Sequence, residues 1–173
     1  EAAAAVDAAD EAGSSDLQAL SKDQLAPEWQ GEAPVLCVAG RSELDKAAAT
    51  MLAQLLSKHG LNARVEGADA LSNASIFRLD TKGVALACVS FLDSKSPAQI
   101  RFAIRRLRRK LPDTPIILGC WLADTDPAAL AAMVKADAGA GTLRSVVKLC
   151  LDRARATPSS EDRERRVAVP LTA

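Results

Sequence analysis

The chain has 173 residues, a length that suits one domain with a hydrophobic core plus flanking segments. Hydrophobic residues make up 49% and charged residues 25%, which is ordinary globular composition. The longest uncharged apolar run, residues 84–92, is far too short to cross a bilayer. Basic and acidic residues balance at 22 each, but this balance hides an asymmetry along the chain.

The first segment of the chain is acidic. Residues 1–33 carry eight acidic residues and one lysine, whereas residues 34–156 carry 18 basic and 11 acidic residues. The acidic segment could fold back onto the basic body or serve as a solvated tether. Apart from a short helix that residues 16–25 could form, it lacks hydrophobic periodicity, which predicts a flexible acidic linker. The chain begins with Glu1 rather than Met, so we expect a piece of a longer protein.

An α/β domain is predicted over residues 34–156. Residues 34–40 form an apolar run ended by glycine, which predicts a buried strand. Residues 44–59 repeat apolar positions with a period near 3.6 and stop before Gly60, as a helix with a C′ glycine does. The remaining elements follow in alternation: strand 62–66, helical turn 68–72, strand 83–91, helix 97–111, strand 115–120, helix 126–134, strand 135–140 and helix 142–156.

This alternation predicts the fold class. The connections are too long for hairpins, so we expect a doubly wound, mostly parallel five-stranded sheet with helices on both faces, as in flavodoxin-like domains. Ligands of such sheets sit at the carboxyl ends of the strands, where the strand order reverses. Any site should therefore lie among residues 40–43, 90–96, 119–122 and 139–142. Residues 157–173, with proline, serines and mixed charges, are predicted to be a disordered tail.

The loop after the first strand contains Gly40, Arg41, Ser42 and Glu43. Ser42 and Asp45 have the spacing of a variant capping box, which would satisfy N–H groups at the helix start. The helix terminus and Arg41 could instead hold an anion. Because no glycine-rich phosphate-binding motif is present, the sequence gives little support for a nucleotide.

Two further loops contribute candidate ligand-binding residues, namely Ser90, Leu92, Asp93, Ser94, Gly119 and Trp121. The hydroxyls and the acid could hydrogen-bond a polar ligand, or they could form a solvent-exposed loop ending in the helix cap Ser96. Gly119 allows close approach of another group. Trp121 could stack on a flat ligand or cover the edge of the core. We predict a small-molecule site here but no identity for the molecule.

The helix at residues 97–111 carries six cations and no acid. Ile100, Ile104, Leu107 and Leu111 form its predicted inward stripe. The outward cations proposed as a membrane or partner face are Arg101, Arg105, Arg108 and Arg109. This face could meet anionic lipid or the acidic segment, or it could simply be solvated. Nucleic acid is disfavoured, because no helix-turn-helix or aromatic platform accompanies it.

The sequence supplies little for catalysis or metal binding. The four cysteines, Cys37, Cys88, Cys120 and Cys150, lack metal-ligand spacing and lie in apolar runs or a predicted helix. This is typical of buried thiols in a reducing compartment. The one histidine, His59, lies at the end of the first helix far from the strand carboxyl ends. We therefore expect no enzyme activity, no metal and no cofactor.

The three loops resemble those of cobalamin-binding Rossmann-like domains. That family has a D-x-H-x-x-G loop, an S-x-L segment and a G-G pair after successive strands. Here Ser90-Phe91-Leu92 matches the second motif, and Gly119-Cys120 keeps one glycine of the third. Glu43 stands about where the family has its cobalt-ligating histidine. The resemblance thus implies the fold over residues 34–156 but argues against cobalamin held by histidine.

The chain also resembles the soluble C-terminal extension of some bacterial autoinducer-2 exporter-like permeases. The similar stretches are residues 35–45, 51–56, 105–112 and 119–121. This resemblance implies a ligand-sensing or regulatory domain on the cytoplasmic side of a bacterial inner-membrane protein. The membrane part of the same polypeptide would then be its partner, with residues 1–33 as the tether. The alternative is a stand-alone protein–protein interaction module without a small ligand.

Overall fold

Five short strands form one parallel sheet in a computed structural model that describes residues 17–122 and 124–156. The strand order is β2-β1-β3-β4-β5, so the order reverses between β1 and β3. The apolar runs that predicted buried strands lie in the middle of the sheet, where both faces are covered. The strands are β1 (Val35–Ala39), β2 (Ala63–Glu66), β3 (Leu86–Phe91), β4 (Ile116–Cys120) and β5 (Ala138–Ala140).

Four helices cover the two faces of the sheet: α1 (Glu43–Lys58), α2 (Pro97–Lys110), α3 (Pro127–Val134) and α4 (Leu143–Ala154). Side chains cap three of them, because Ser42, Asp126 and Thr142 each accept a backbone N–H from the first turn. Helix α2 starts at Pro97 as predicted, although Ser96 makes no side-chain cap bond. The doubly wound α/β fold class predicted from the sequence is confirmed.

The core has two layers, one on each face of the sheet. Helices α1 and α4 cover the first layer, and α2 and α3 cover the second. The first layer contains Cys37, Cys88 and Cys150, and all four cysteines are buried and free. Hydrogen bonds with the Cys150 and Cys37 thiols, together with burial, raise the pKa of Cys88 well above its usual range. The predicted burial of the thiols is confirmed.

The segment before β1 packs on the first layer. Leu20, Leu25 and Trp29 are buried there, beside the two short 3₁₀ turns Lys22–Gln24 and Pro27–Trp29. The segment is also held by backbone bonds to α1 and α4: the His59 carbonyl accepts the N–H of Leu20, the Ala154 carbonyl accepts that of Ala26, and Gln24 accepts that of Ala156.

The prediction of a flexible linker is therefore wrong for residues 17–33. The sequence carries no periodic pattern there because the contact is made by irregularly spaced side chains rather than by one helix face: the buried Leu20, Leu25 and Trp29 and the partly buried Leu17 and Ala26. Residues 1–16 and the predicted tail 157–173 lie outside the described residues. Within residues 17–122 and 124–156, the structure has no helix whose length and apolar character would let it span a membrane.

Candidate functional site at the carboxyl edge of the sheet

The carboxylate of Asp45 joins the loops that follow β1 and β3. One oxygen accepts the N–H groups of Arg41 and Ser42 at 2.9 Å each, and the other accepts the N–H of Leu92 at 2.8 Å. The Ser42 hydroxyl accepts the Asp45 N–H in return. Asp45 is only 2% exposed. The start of α1 is thus occupied by a carboxylate of the chain itself, and the capping interpretation of this loop is supported over an anion site.

The Arg41 side chain extends from this loop toward α2. Its guanidinium donates to the Gln99 side-chain oxygen at 3.0 Å and lies 3.7 Å from the Asp93 carboxylate. The side chain remains about half exposed. Asp93 also accepts the backbone N–H of Lys95, which fixes the turn after β3. A partly exposed cation, paired with Asp93, is therefore held at the mouth of the loops.

An open recess lies beside Arg41, at the point where the strand order reverses. Its volume is about 260 Å³, close to the lower limit of small-molecule sites. Apolar groups form its floor, and polar side chains stand at its rim. The lining residues are Gly40, Arg41, Ala68, Leu71, Ser72, Gln99, Phe102 and Ala103. The sequence predicted Gly40 and Arg41 but missed the others, because the turn after β2 and the first turns of α2 carry no ligand-binding motif.

The opposite face of the same edge is filled above Gly119. Ser90 and Gly119 are register partners on β3 and β4, and the Trp121 ring lies so close to Gly119 that a Cβ there would overlap it. Trp121 packs against the α1–α4 layer, which supports the covering interpretation of this residue. The Ser90 hydroxyl and the Trp121 indole nitrogen are buried, and neither has a hydrogen-bond partner among residues 17–122 and 124–156.

A second glycine–aromatic contact lies on the α2 side of the edge. The Phe91 ring occupies the space that a Cβ on Gly40 would need, so glycine ends β1 for steric reasons. Beneath this edge, burial and then the nearby carboxylates of Asp93 and Asp45 raise the pKa of Cys120 to about 11. The Cys120 thiol is therefore protonated at neutral pH and is a poor nucleophile.

The remaining predicted site residues do not converge on one point. Glu43 is exposed in the first turn of α1. Leu92 and Ser94 are half-buried in the loop after β3, where the Leu92 carbonyl accepts the N–H of Leu122. His59 lies at the opposite end of α1 and contacts the Leu55 carbonyl through Nδ1 at 2.7 Å. The structure thus groups Gly40, Arg41 and Asp93 near the recess and Ser90, Gly119 and Trp121 on the closed face.

The cations of α2 are divided between structural contacts and the surface. Arg108 bonds the Asp137 carboxylate at 2.6 Å and the Thr114 carbonyl at 2.9 Å, so its assignment to an outward face is wrong. Arg101 is half-buried and donates to the Met133 carbonyl. Arg105 and Arg109 are exposed, and among the described residues they have no hydrogen-bond or ion-pair partner. The predicted inward stripe, Ile100, Ile104, Leu107 and Leu111, is buried.

Comparison with known proteins gives one informative similarity. No protein-family model matches the chain, and no curated protein matches it. Among solved structures, it is similar to a novel cobalamin-binding protein from Desulfitobacterium hafniense DCB-2, with a TM-score of 0.54 and 12% sequence identity. The similarity covers 71% of this chain and 60% of that protein. This chain has a cobalamin-binding-like fold. At such low identity the similarity extends to the fold alone.

The residues at the edge do not fit a cobalamin bound through histidine. Glu43 occupies the position expected for the ligating histidine, and His59 lies at the other end of α1. The Trp121 ring already fills the space above Gly119, so a large planar group has no access to that glycine. Trp121 thus fills the edge above Gly119, while openings remain beside Arg41 and, at about 390 Å³, between residues 139–141 and α4.

Proposed function

We propose that this chain is a non-catalytic ligand-sensing or regulatory domain whose ligand binds in the recess beside Arg41. The observation that carries the proposal is the position of the recess: it opens at the reversal of strand order, with an exposed guanidinium at its rim and an apolar floor. A small molecule with an anionic group and an apolar part fits this lining.

The described residues favour binding over catalysis. A hydrolytic site would need a nucleophile within hydrogen-bond reach of a base. The Ser90 hydroxyl has no such partner, the raised pKa of Cys120 keeps its thiol protonated, and His59 is remote. This supports a regulatory role but leaves enzyme activity to be tested directly.

We further propose that the domain belongs to a membrane permease and lies on its cytoplasmic side, with the membrane part of the same polypeptide as its partner. The support for this context is the sequence resemblance of residues 35–45, 51–56, 105–112 and 119–121. In that setting, ligand binding next to α2 would change how the surface of the domain contacts the membrane part.

Native mass spectrometry of the chain purified from cells tests the ligand proposal. We expect a retained small molecule on the wild type that is weakened by Arg41→Gln and lost with Ala68→Phe, which places a ring in the recess. Ala132→Phe, at an exposed position of α3, is the matched control and should retain the molecule. Retention that is the same in all four proteins would show that the molecule binds elsewhere.

A second candidate function is a protein–protein interaction module. Leu44 and Met51 lie two turns apart on α1 and are 66% and 54% exposed. An exposed apolar pair on one helix face is a plausible contact for a partner protein. No retained small molecule on the wild type, together with loss of a specific partner on Leu44→Ser/Met51→Ser, would favour this function over ligand sensing.

A further inference from the structure

We propose that one surface of this domain docks on an anionic lipid bilayer. The surface, here called the basic–aromatic surface, consists of Phe77, Phe102, Arg105, Arg109 and Lys110. The phenylalanines would enter the headgroup region, while the cations contact lipid phosphates. This inference goes beyond the proposed function, since it requires neither a ligand in the recess nor attachment to a permease.

Exposed aromatic side chains are the first observation. The whole chain has only two tryptophans, three phenylalanines and no tyrosine. Trp29 and Phe91 are buried and Trp121 packs against the core. The other two, Phe77 and Phe102, are 82% and 55% exposed. A protein that uses so few aromatics thus leaves two of them in water, a costly arrangement unless the rings meet an apolar phase.

The two rings belong to one continuous surface. Arg106 links them: its guanidinium carbon lies 4.4 Å from the centre of the Phe102 ring, and it donates to the Leu71 carbonyl and to the Asn73 side chain. A cavity of about 250 Å³ then extends from Arg106 to Phe77 and is also lined by Arg109 and Lys110. Lys110 reaches the Phe77 carbonyl at 3.4 Å.

The distribution of charge is the second observation. Helix α2 carries six cations and no acid, and the structure uses some of them internally. Arg108 pairs with Asp137, Arg101 bonds Met133, and Arg106 bonds the turn after β2. Arg105 and Arg109 are exposed and unpaired within the described part of the chain. Arg109 lines the cavity beside Phe77, and Arg105 lies about one helical turn from both Phe102 and Arg109 on α2.

Cations beside exposed rings match the chemistry of an anionic membrane surface. Arginine and lysine are attracted to acidic headgroups, and apolar rings bury themselves at the headgroup–acyl boundary. A nucleic-acid duplex would use the same cations, but its phosphate backbone offers no apolar phase to the exposed Phe77 ring. The combination therefore favours a bilayer.

Vesicle co-sedimentation of the full chain tests the proposal. We expect binding to phosphatidylglycerol-containing vesicles at low salt, with weaker binding as salt rises and little to phosphatidylcholine alone. Arg105→Gln/Arg109→Gln should lower the partition coefficient roughly thirtyfold, at the usual contribution per cation. Phe77→Ser/Phe102→Ser should lower binding at every salt concentration, because burial of the rings is not screened.

Matched controls make the same chemical changes elsewhere on the molecule. Leu44→Ser/Met51→Ser removes exposed apolar groups from α1, and Lys46→Gln/Lys58→Gln removes two exposed cations from the same helix. Both should bind vesicles like the wild type. Excess inorganic phosphate and glycerophosphoglycerol, matched in ionic strength with sodium chloride, should compete no better than the chloride.

Several outcomes would overturn the proposal. These are no sedimentation of the wild type with anionic vesicles, equal binding to neutral vesicles, or the same loss in the control variants. Competition by free phosphate would make the surface a soluble-anion site. Tight duplex DNA binding that the phenylalanine substitutions leave unchanged, without vesicle binding, would assign the surface to nucleic acid. The salt series on the wild type needs no variant, so a poorly folded variant does not remove the test.

Discussion

The two faces of the sheet differ in how far the chain covers its own surface. The α1–α4 face is filled where Trp29 and its neighbours pack and where Trp121 packs over Gly119, although an opening of about 390 Å³ remains between residues 139–141 and α4. The α2–α3 face keeps an open recess beside Arg41 and exposes Phe77 and Phe102. The aromatic residues of the α1–α4 face stabilise the fold, whereas Phe77 and Phe102 on the α2–α3 face remain accessible to a ligand or a bilayer.

The largest expected effect separates a buried aromatic residue on the α1–α4 face from an exposed one on the α2–α3 face. Trp29→Ala should destabilise the domain by about 3 kcal/mol, the lower end for loss of a buried tryptophan. Phe77→Ala is the matched control and should change stability by less than about 0.5 kcal/mol. Urea unfolding of both variants measures the difference. Equal, small losses would restore the flexible-linker interpretation of residues 17–33.

The next effect tests the closed carboxyl edge. Gly119→Ala places a methyl group into the Trp121 ring and should cost about 2 kcal/mol, typical of overpacking. Gly31→Ala is the control, since a Cβ at Gly31 meets no atom within 4 Å. Trp121→Leu added to Gly119→Ala should recover part of the loss. If instead Trp121→Leu destabilised the Gly119→Ala protein by as much as it destabilises the wild type, the two residues would not be coupled.

The sequence predicted the sheet well because its strands are buried on both faces and separated by strong turn and cap residues. It also predicted Gly40, Arg41 and Gly119 at the carboxyl edge, since topology alone brings those loops together. It could not predict that the Trp121 ring packs on Gly119, two residues earlier in the chain. No sequence pattern indicates such a contact. Nor could it show that Asp45 bonds Leu92, 47 residues away.

The charges of α2 show the same limit. Helical spacing placed the arginines away from the buried stripe, which is correct for Arg105 and Arg109. Arg108 turns back to Asp137, which directly precedes β5 and lies 29 residues away in the sequence. Whether a surface cation is unpaired depends on which carboxylates and carbonyls the tertiary fold brings close to it. Helical periodicity gives no information about those groups.

The Arg108–Asp137 pair gives a smaller, pH-dependent prediction. Burial raises the pKa of Asp137, but the Ile116 N–H and the Arg108 guanidinium outweigh it and leave that pKa below its usual value. The carboxylate therefore stabilises the fold above its unfolded pKa, and this stabilisation is lost as pH falls through the folded value. Asp137→Asn should cost about 1 kcal/mol at pH 7, since both partners are partly exposed.

The pH series for Asp137 carries its own control. The stability difference between wild type and Asp137→Asn should shrink as the pH falls below the ordinary aspartate pKa of about 4, because the unfolded carboxyl takes up a proton before the folded one does. Asp113→Asn, an exposed acid near the end of α2, should show no comparable difference at pH 7. If the stability difference between wild type and Asp137→Asn stayed constant down to low pH, the loss would come from altered packing or hydrogen bonding and not from the missing negative charge.

The smallest expected effect is a gain in stability. It tests whether the buried Ser90 hydroxyl is unpaired in the protein or is bonded by a ligand. The Ser90 hydroxyl is buried and has no hydrogen-bond partner in the part of the chain that the structure describes, and an unpaired buried hydroxyl costs stability. Ser90→Ala should therefore stabilise the domain by about 0.5 kcal/mol. Ser42→Ala, which removes a cap acceptor from α1, should instead destabilise it by about 1 kcal/mol. The contrary outcome is that Ser90→Ala destabilises protein purified from cells but does not destabilise protein refolded from denaturant. A molecule bound in the cell would then accept or donate a hydrogen bond at the Ser90 hydroxyl, and the Trp121 ring would have to move to admit it.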